Sequence, residues 1–136
     1  MDRTASAVWN GDLKSGSGTF STQSGAISDL KYSFRTRFED EPGTNPEELI
    51  AAAHASCFSM ALSAKLGGKG ITPEAIGTTC AITFSDGVLS KSTLNTIVTA
   101  PGADEAAVRE AADDAKATCP ISKVLNLEVV LNLTVA

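Results

Sequence analysis

The chain has 136 residues, 43% of them hydrophobic and 20% charged, with a formal net charge of −5. That length suits one domain with its own core, and the acidic balance, with no Lys/Arg block, excludes the basic patch a nucleic-acid partner requires. Three cysteines are too few, and odd in number, for a disulfide scaffold. The opening Met1-Asp2-Arg3-Thr4 has no apolar run of the kind a secretory signal carries, so a cytoplasmic location is expected.

Residues 3–9 suit a short strand closed by the turn signal Asn10-Gly11-Asp12. Residues 13–28 are rich in Ser, Gly and Thr but punctuated by Leu13, Phe20 and Ile27, which predicts short strands and turns. Over 32–39 the sequence alternates, with Tyr32, Phe34, Thr36 and Phe38 on one face and Ser33, Arg35, Arg37 and Glu39 on the other. Period two with aromatic enrichment predicts a strand. A loop over 40–44 then leads to a helix announced by Asn45 as N-cap, Pro46 at the first position and Glu48 three residues after the cap. This helix should run to about Leu66 and stop at Gly67-Gly68. It is Ala-rich and interrupted by His54, Ser56, Ser59, Ser63 and Lys65, the pattern of a centrally enclosed helix rather than a membrane span.

Thr78–Phe84, the Asp86-Gly87 turn and Val88–Ala100 predict a β-hairpin. A second long helix spans 104–118 with Asp104 as its cap. Pro120 then removes a backbone donor, so Cys119 marks a break before a short helix through Leu125. Leu127, Val129, Leu131, Leu133 and Val135 alternate as a last, half-buried strand. The order of elements is that of a single α+β domain over 1–136.

Two cysteines stand in settings suited to redox chemistry. Cys57 lies inside the first helix, where Glu47, His54 and Cys57 fall within an arc of about 80°. Cys119 sits before a proline at the end of the second. A lone cysteine is more often a small buried core residue than a nucleophile. Alone, His54 reads as a helix histidine with satisfied partners, and Glu47 as a first-turn carboxylate favoured by the helix dipole. Cys80, between Thr79 and Ala81, has no charged neighbour and reads as packing. Arg35 and Arg37 read by themselves as a solvated surface pair. The sharper alternative is that one of them lies beside Cys57 and stabilises its thiolate, while a second thiol traps the oxidised form. That combination points to a thiol peroxidase. No CxxC or HxxxH spacing supports a metal site, and Gly67-Gly68-Lys69-Gly70 lacks the spacing of a phosphate loop.

Glu47 and Cys57 share a helix face but are ten residues apart, or roughly 15 Å along the axis. If both serve one site, a two-fold partner helix running antiparallel would bring its own Glu47 to this Cys57. A homodimer follows from that geometry.

The runs Arg37-Phe38-Glu39 and Gly43-Thr44-Asn45-Pro46-Glu47-Glu48-Leu49-Ile50-Ala51-Ala52-Ala53-His54-Ala55-Ser56-Cys57-Phe58-Ser59-Met60-Ala61-Leu62 resemble the OsmC/Ohr hydroperoxide-reductase family, and within it the OsmC branch. Ala7-Val8-Trp9-Asn10-Gly11-Asp12-Leu13-Lys14 and Cys119-Pro120-Ile121-Ser122-Lys123-Val124-Leu125 are similar too, in the same order. The resemblance implies an intertwined α+β homodimer, with central long helices wrapped by antiparallel-rich sheets and active sites at the dimer interface. It implies a thiol-dependent peroxidase acting on organic hydroperoxides in preference to hydrogen peroxide, in oxidative or osmotic stress defence. Cys57 falls on the family's peroxidatic cysteine, Cys119 on its resolving cysteine, and Arg37 and Glu47 on the arginine and glutamate that organise the site. No metal or other cofactor is implied. An external dithiol, dihydrolipoyl by analogy with the Ohr branch, would supply electrons. The competing class is a non-catalytic protein that holds a hydrophobic ligand on the same fold. Such a binder would have no use for Cys119.

Overall fold

A computed structural model describes all of residues 1–136 and resolves the chain into two compact units, Met1–Leu49 and Ile50–Ala136. The first is a three-stranded antiparallel sheet in the order β1 (Ala5–Asn10), β2 (Ser17–Thr22), β3 (Leu30–Ser33). Gly18 pairs across with Tyr32, and a Cβ there would meet the Tyr32 ring at 2.6 Å. The missing side chain lets that ring lie down between Trp9 and Phe20, at centroid distances of 5.5 and 5.7 Å.

The strand expected over 32–39 ends at Ser33, and Phe34–Phe38 forms a helical turn, α1. The reason is local. The Ser33 hydroxyl accepts from the Thr36 N–H while the Thr36 hydroxyl accepts from the Ser33 N–H, a complete capping box. Phe34 and Phe38, one turn apart, then stack at 4.9 Å. Hydrogen bonds exchanged between one serine and one threonine thus override the aromatic alternation.

Helix α2 (Pro46–Gly68) opens as expected, with the Asn45 side chain accepting from the Glu48 N–H at 2.8 Å. Its glycine stop lies later than Gly67-Gly68. Gly70, at φ +73°, takes the left-handed position, while Ile71 N–H and Gly70 N–H bond back to Leu66 and Gly67.

In the second unit, β4 (Ala75–Ser85) and β5 (Val88–Thr99) form the expected hairpin, with both turn residues Asp86 and Gly87 at positive φ. Helix α3 (Glu105–Thr118) is capped by Asp104, which accepts from Ala106 and Ala107. Helix α4 (Pro120–Val124) follows, and the chain returns as β6 (Glu128–Val135), parallel to β5. Mixed helices and two sheets make the fold α+β.

The core of this unit is set by two periods. His54, Phe58, Leu62 and Leu66 recur every fourth residue of α2, and Ser92, Leu94, Thr96 and Val98 every second residue of β5; all eight are buried. Val108, Ala111, Ala112 and Ala115 of α3 close the cluster. Lys65–Asp114 and Lys69–Glu110 ion pairs, at 2.8 and 2.6 Å, tie α2 and the residue that follows it to α3 at the surface. The enclosure expected around α2 is not supplied by this chain. Only that one row is buried, whereas Ala52, Ala53, Ser56, Ser63 and Ala64 are exposed and Met60 is 76% exposed. By length and composition alone α2 could also cross a membrane.

Leu62→Ala should destabilise the fold by about 2–5 kcal/mol through lost burial and the cavity left behind. Val124→Ala, at an exposed position, should stay within about 0.5 kcal/mol. Urea unfolding of the two variants side by side measures the difference.

Candidate active site

In the first unit, α1 turns Arg35 and Arg37 apart, since residues two apart on a helix do not share a face. The common polar face expected on a strand is therefore replaced by two separate pairings. Arg35 is drawn to Glu39 and Glu41 at 3.5 and 3.7 Å on the surface. Arg37 reaches Glu47 in the first turn of α2, with Nε and Nη2 donating to Oε1 at 3.1 and 2.8 Å and Nε also 3.3 Å from Oε2. The guanidinium also lies 4.9 Å from the centroid of the Phe38 ring. Two donors on one carboxylate fix the plane of the guanidinium, as well as its position. It forms part of the wall of a cleft of about 240 Å³ whose other lining includes Trp9, Leu13, Tyr32, Phe34 and Phe38. That wall is chiefly apolar, with one cation set into it.

In the second unit the two expected cysteines meet. Cys57 Sγ lies 3.2 Å from Cys119 Sγ, and both are free thiols. A bonded pair would stand at about 2.05 Å, so bond formation needs a closure of little more than an ångström. Cys57 is half-buried and Cys119 wholly buried. The position of Cys119 follows from Pro120. The residue before a proline is pushed out of the helical region, and Cys119 at φ −54°, ψ 126° closes α3 and caps α4. Its own N–H still bonds to Ala115 O and its carbonyl accepts from Lys123 N–H. The sulfur therefore sits at a fixed corner between two helices.

The environments of the two thiols differ. Burial pushes Cys57 up, with Cys119 adding to the rise and the Ile121 N–H working against it. Burial would raise Cys119 as well. Hydrogen bonds from the Ser122 N–H, from Cys57, from the Ile121 N–H and from the Ser122 hydroxyl outweigh it and bring Cys119 below the ordinary thiol value. The two thiols are thus displaced in opposite directions.

His54 does not present itself as a free base beside Cys57. It is fully buried, and its Nδ1 and Nε2 each make a 2.7 Å hydrogen bond, to Ser92 and Ser122 respectively. Cys80 Sγ lies 3.2 Å from Ser92 Oγ, so the third thiol is a polar neighbour as well as a packing residue. Sequence patterning does not show this chain of groups, because Ser92 and Ser122 are distant from His54 along the sequence. The one available signal is that Ser92 falls in register with Leu94, Thr96 and Val98 on the inward face of β5. No cluster of three His, Cys, Asp or Glu side chains has the convergence a metal ion needs.

Burial holds the His54 imidazole below its ordinary pKa near 6.5. The unfolded chain therefore binds a proton that the folded chain refuses, and stability should fall as pH drops below about 6.5 until the folded ring titrates. The slope cannot exceed about 1.4 kcal/mol per pH unit from one group. As His54 is the sole histidine, denaturation midpoints of wild type and His54→Gln between pH 5 and 8 isolate the effect. The wild type should lose stability relative to the variant across that fall in pH.

The sequence profile described as "OsmC-like protein" matches residues 38–134. Peroxiredoxin OsmC of Escherichia coli is 46% identical over 136 residues, spanning 97% of this chain and 95% of that protein. Among solved structures, the organic hydroperoxide resistance protein OhrB of Bacillus subtilis superposes with a TM-score of 0.66 at 25% identity, covering 96% of this chain and 98% of that one. An organic hydroperoxide resistance protein OsmC from Legionella pneumophila gives 0.68 at 23% identity, over 98% and 96%, and shares the fold. With more than half of its length inside the family profile and close identity over nearly all of it, the chain belongs to the OsmC-like protein family.

Proposed function

We propose that this chain is a thiol peroxidase that reduces organic hydroperoxides through Cys57, with Cys119 as the resolving thiol. The observation that carries the reading is the 3.2 Å contact between two free thiols of unequal exposure. The half-buried sulfur can be reached by a peroxide, and the wholly buried one can be reached only by its neighbour. In the reaction, Cys57 thiolate attacks the terminal oxygen of R–O–O–H, the O–O bond breaks, and the departing alkoxide takes up the proton that Cys57 released on ionising and leaves as alcohol. The resulting Cys57 sulfenic acid condenses with Cys119 to a disulfide and water. An external dithiol of the dihydrolipoyl kind then restores both thiols, so no bound cofactor is required. Clearance of peroxides in the cytoplasm under oxidative or osmotic stress is the corresponding role.

Burial raises Cys57 within its unit, so a cation near Cys57 is needed to make it a thiolate at neutral pH. Arg37, held in plane by Glu47, is the group assigned to that task. The apolar lining of the adjoining cleft suits the alkyl part of an organic hydroperoxide better than hydrogen peroxide. The same cleft would suit a non-catalytic hydrophobic-ligand protein, but such a protein has no need of the paired thiols.

The enzyme is further read as a homodimer. Ten residues of continuous helix, roughly 15 Å, separate Glu47 from Cys57. An antiparallel partner helix laid on the exposed Ala, Ser and Met face of α2 would bring Glu47 of the partner subunit to this Cys57.

Cys57→Ser should abolish turnover, since an alcohol there is not ionised at neutral pH. Cys119→Ser should consume about one equivalent of hydroperoxide and then stall with Cys57 oxidised. Titration of thiols before and after one equivalent of an alkyl hydroperoxide gives the companion measurement. Loss of two thiols per chain fits the enzyme, and loss of none fits the binder. For the shared site, Glu47→Ala and Cys57→Ser chains refolded together should regain activity, because each heterodimer then holds one intact site of two. If every mixture stays inactive, Glu47 serves its own chain.

A further inference from the structure

Once peroxide has been reduced, an external thiol must break the Cys57–Cys119 disulfide by attacking one of its two sulfurs. Their surroundings allow one choice. Cys119 is 0% exposed and belongs to the core cluster with Phe58, Leu62 and Ala115, whereas Cys57 packs against that cluster and keeps part of its surface. Nor is Cys119 free to swing outward. Its N–H is bonded to Ala115 O at 2.8 Å, its carbonyl accepts from Lys123 N–H at 3.1 Å, and Ser122 ties the helix that starts after it to buried His54 at 2.7 Å. Closing the sulfurs from 3.2 Å to bonding distance moves them little more than an ångström. That is too little to bring a wholly buried residue to the surface.

We propose that the external reductant attacks Cys57 alone, and that Cys119, held in contact as the leaving thiol, selects dithiols over monothiols by re-forming the internal disulfide whenever no second thiol intervenes. The proposal rests on the reading of Cys57 and Cys119 as the peroxidatic and resolving pair. In the first step a reductant thiolate forms an S–S bond to Cys57 Sγ and the Cys57–Cys119 bond breaks. The electron pair of that bond leaves on Cys119, which takes up the proton the reductant released. Two exits then compete. Cys119 can attack Cys57 Sγ and expel the reductant, which restores the starting disulfide with nothing oxidised. A second thiol can instead attack the reductant's own sulfur, freeing Cys57 as a thiol and leaving the reductant as a disulfide. That exit moves two electrons from reductant to protein. The return is intramolecular, between groups that touch in the reduced pair, so it outpaces a second monothiol that must arrive from solution. A dithiol carries its second thiol on the same molecule, and its forward exit is intramolecular too.

The test uses the full chain in a Cys80→Ala background, which removes the third free thiol. Peroxide-oxidised protein is mixed with mercaptoethanol or dithiothreitol at equal thiol concentration, quenched in acid and mapped by mass spectrometry. Mercaptoethanol should be found joined to Cys57 and not to Cys119, and dithiothreitol should reduce the internal disulfide about tenfold faster or more. Cys119→Ala carrying a preformed mixed disulfide of mercaptoethanol on Cys57 has no internal return, and the two reductants should then act within about threefold of each other. Access is read separately with dithiodipyridine. In the folded protein, Cys119 of Cys57→Ser should react about a hundredfold more slowly than Cys57 of Cys119→Ala, and in urea at a comparable rate. Mercaptoethanol on Cys119, or folded Cys119 reacting as fast as Cys57, overturns the site of attack. A gap between the two reductants that persists undiminished in Cys119→Ala overturns the selection. If peroxide-treated protein yields no peptide pair joining Cys57 to Cys119, the reading of the pair fails and the proposal falls with it.

Discussion

The packing of one row of α2 on one face of β5 is the constraint on which the thiol site depends. His54, Phe58, Leu62 and Leu66 follow one another every fourth residue, and opposite them Ser92, Leu94, Thr96 and Val98 alternate inward. Bulk, rather than polarity, chooses this row. The remainder of α2 is mostly Ala, Ser and Gly, so hydropathy differs little around the helix, and the large side chains decide which side has most to gain from burial. Once the row is set, Cys57 stands beside Phe58 at the margin of the core. There it is close enough to Cys119 to touch it and open enough to remain half exposed.

The same row carries one polar member, and its cost is offset by its neighbours. A histidine at 0% exposure would destabilise the core if either ring nitrogen lacked a partner. Ser92 supplies one partner from the inward face of β5 and Ser122 supplies the other from α4. The second bond matters beyond His54, since α4 is only five residues long and has little packing of its own to fix it. Pro120 decides where α4 begins, and the bond to His54 ties it back to α2. The corner that holds Cys119 is thereby braced from both sides.

Much of this was legible in the sequence wherever one residue decides the backbone by itself. Asn45-Pro46 announced α2, Asp86-Gly87 the hairpin, and Cys119-Pro120 the break between α3 and α4. What escaped depends on contacts that periodicity cannot express. The turn α1 interrupts an otherwise convincing strand pattern because one serine and one threonine exchange hydrogen bonds over three residues. That small local gain outcompetes the alternation of Tyr32, Phe34 and Phe38. The partners of His54 lie 38 and 68 residues away, and nothing local to His54 marks either serine. Family resemblance puts Arg37 and Glu47 in one site without pairing them, and on the strand expected for Arg37 its direction would have been different.

The two thiols divide access and acidity between them, and that division bears on how a peroxide could be handled. Cys57 has the exposure, yet burial raises its pKa. Cys119 has the hydrogen bonds that favour a thiolate, yet no surface through which to meet a substrate. With its exposed sulfur disfavoured as a thiolate, such a pair would be slow to react with peroxide. A guanidinium brought to Cys57 would favour its thiolate and so restore reactivity at the exposed sulfur. A cation set in a chiefly apolar wall and held flat by a carboxylate, as Arg37 is by Glu47, is of the kind that stabilises a thiolate placed beside it. Placement of such a cation, and not the two thiols alone, would then decide the reactivity of Cys57.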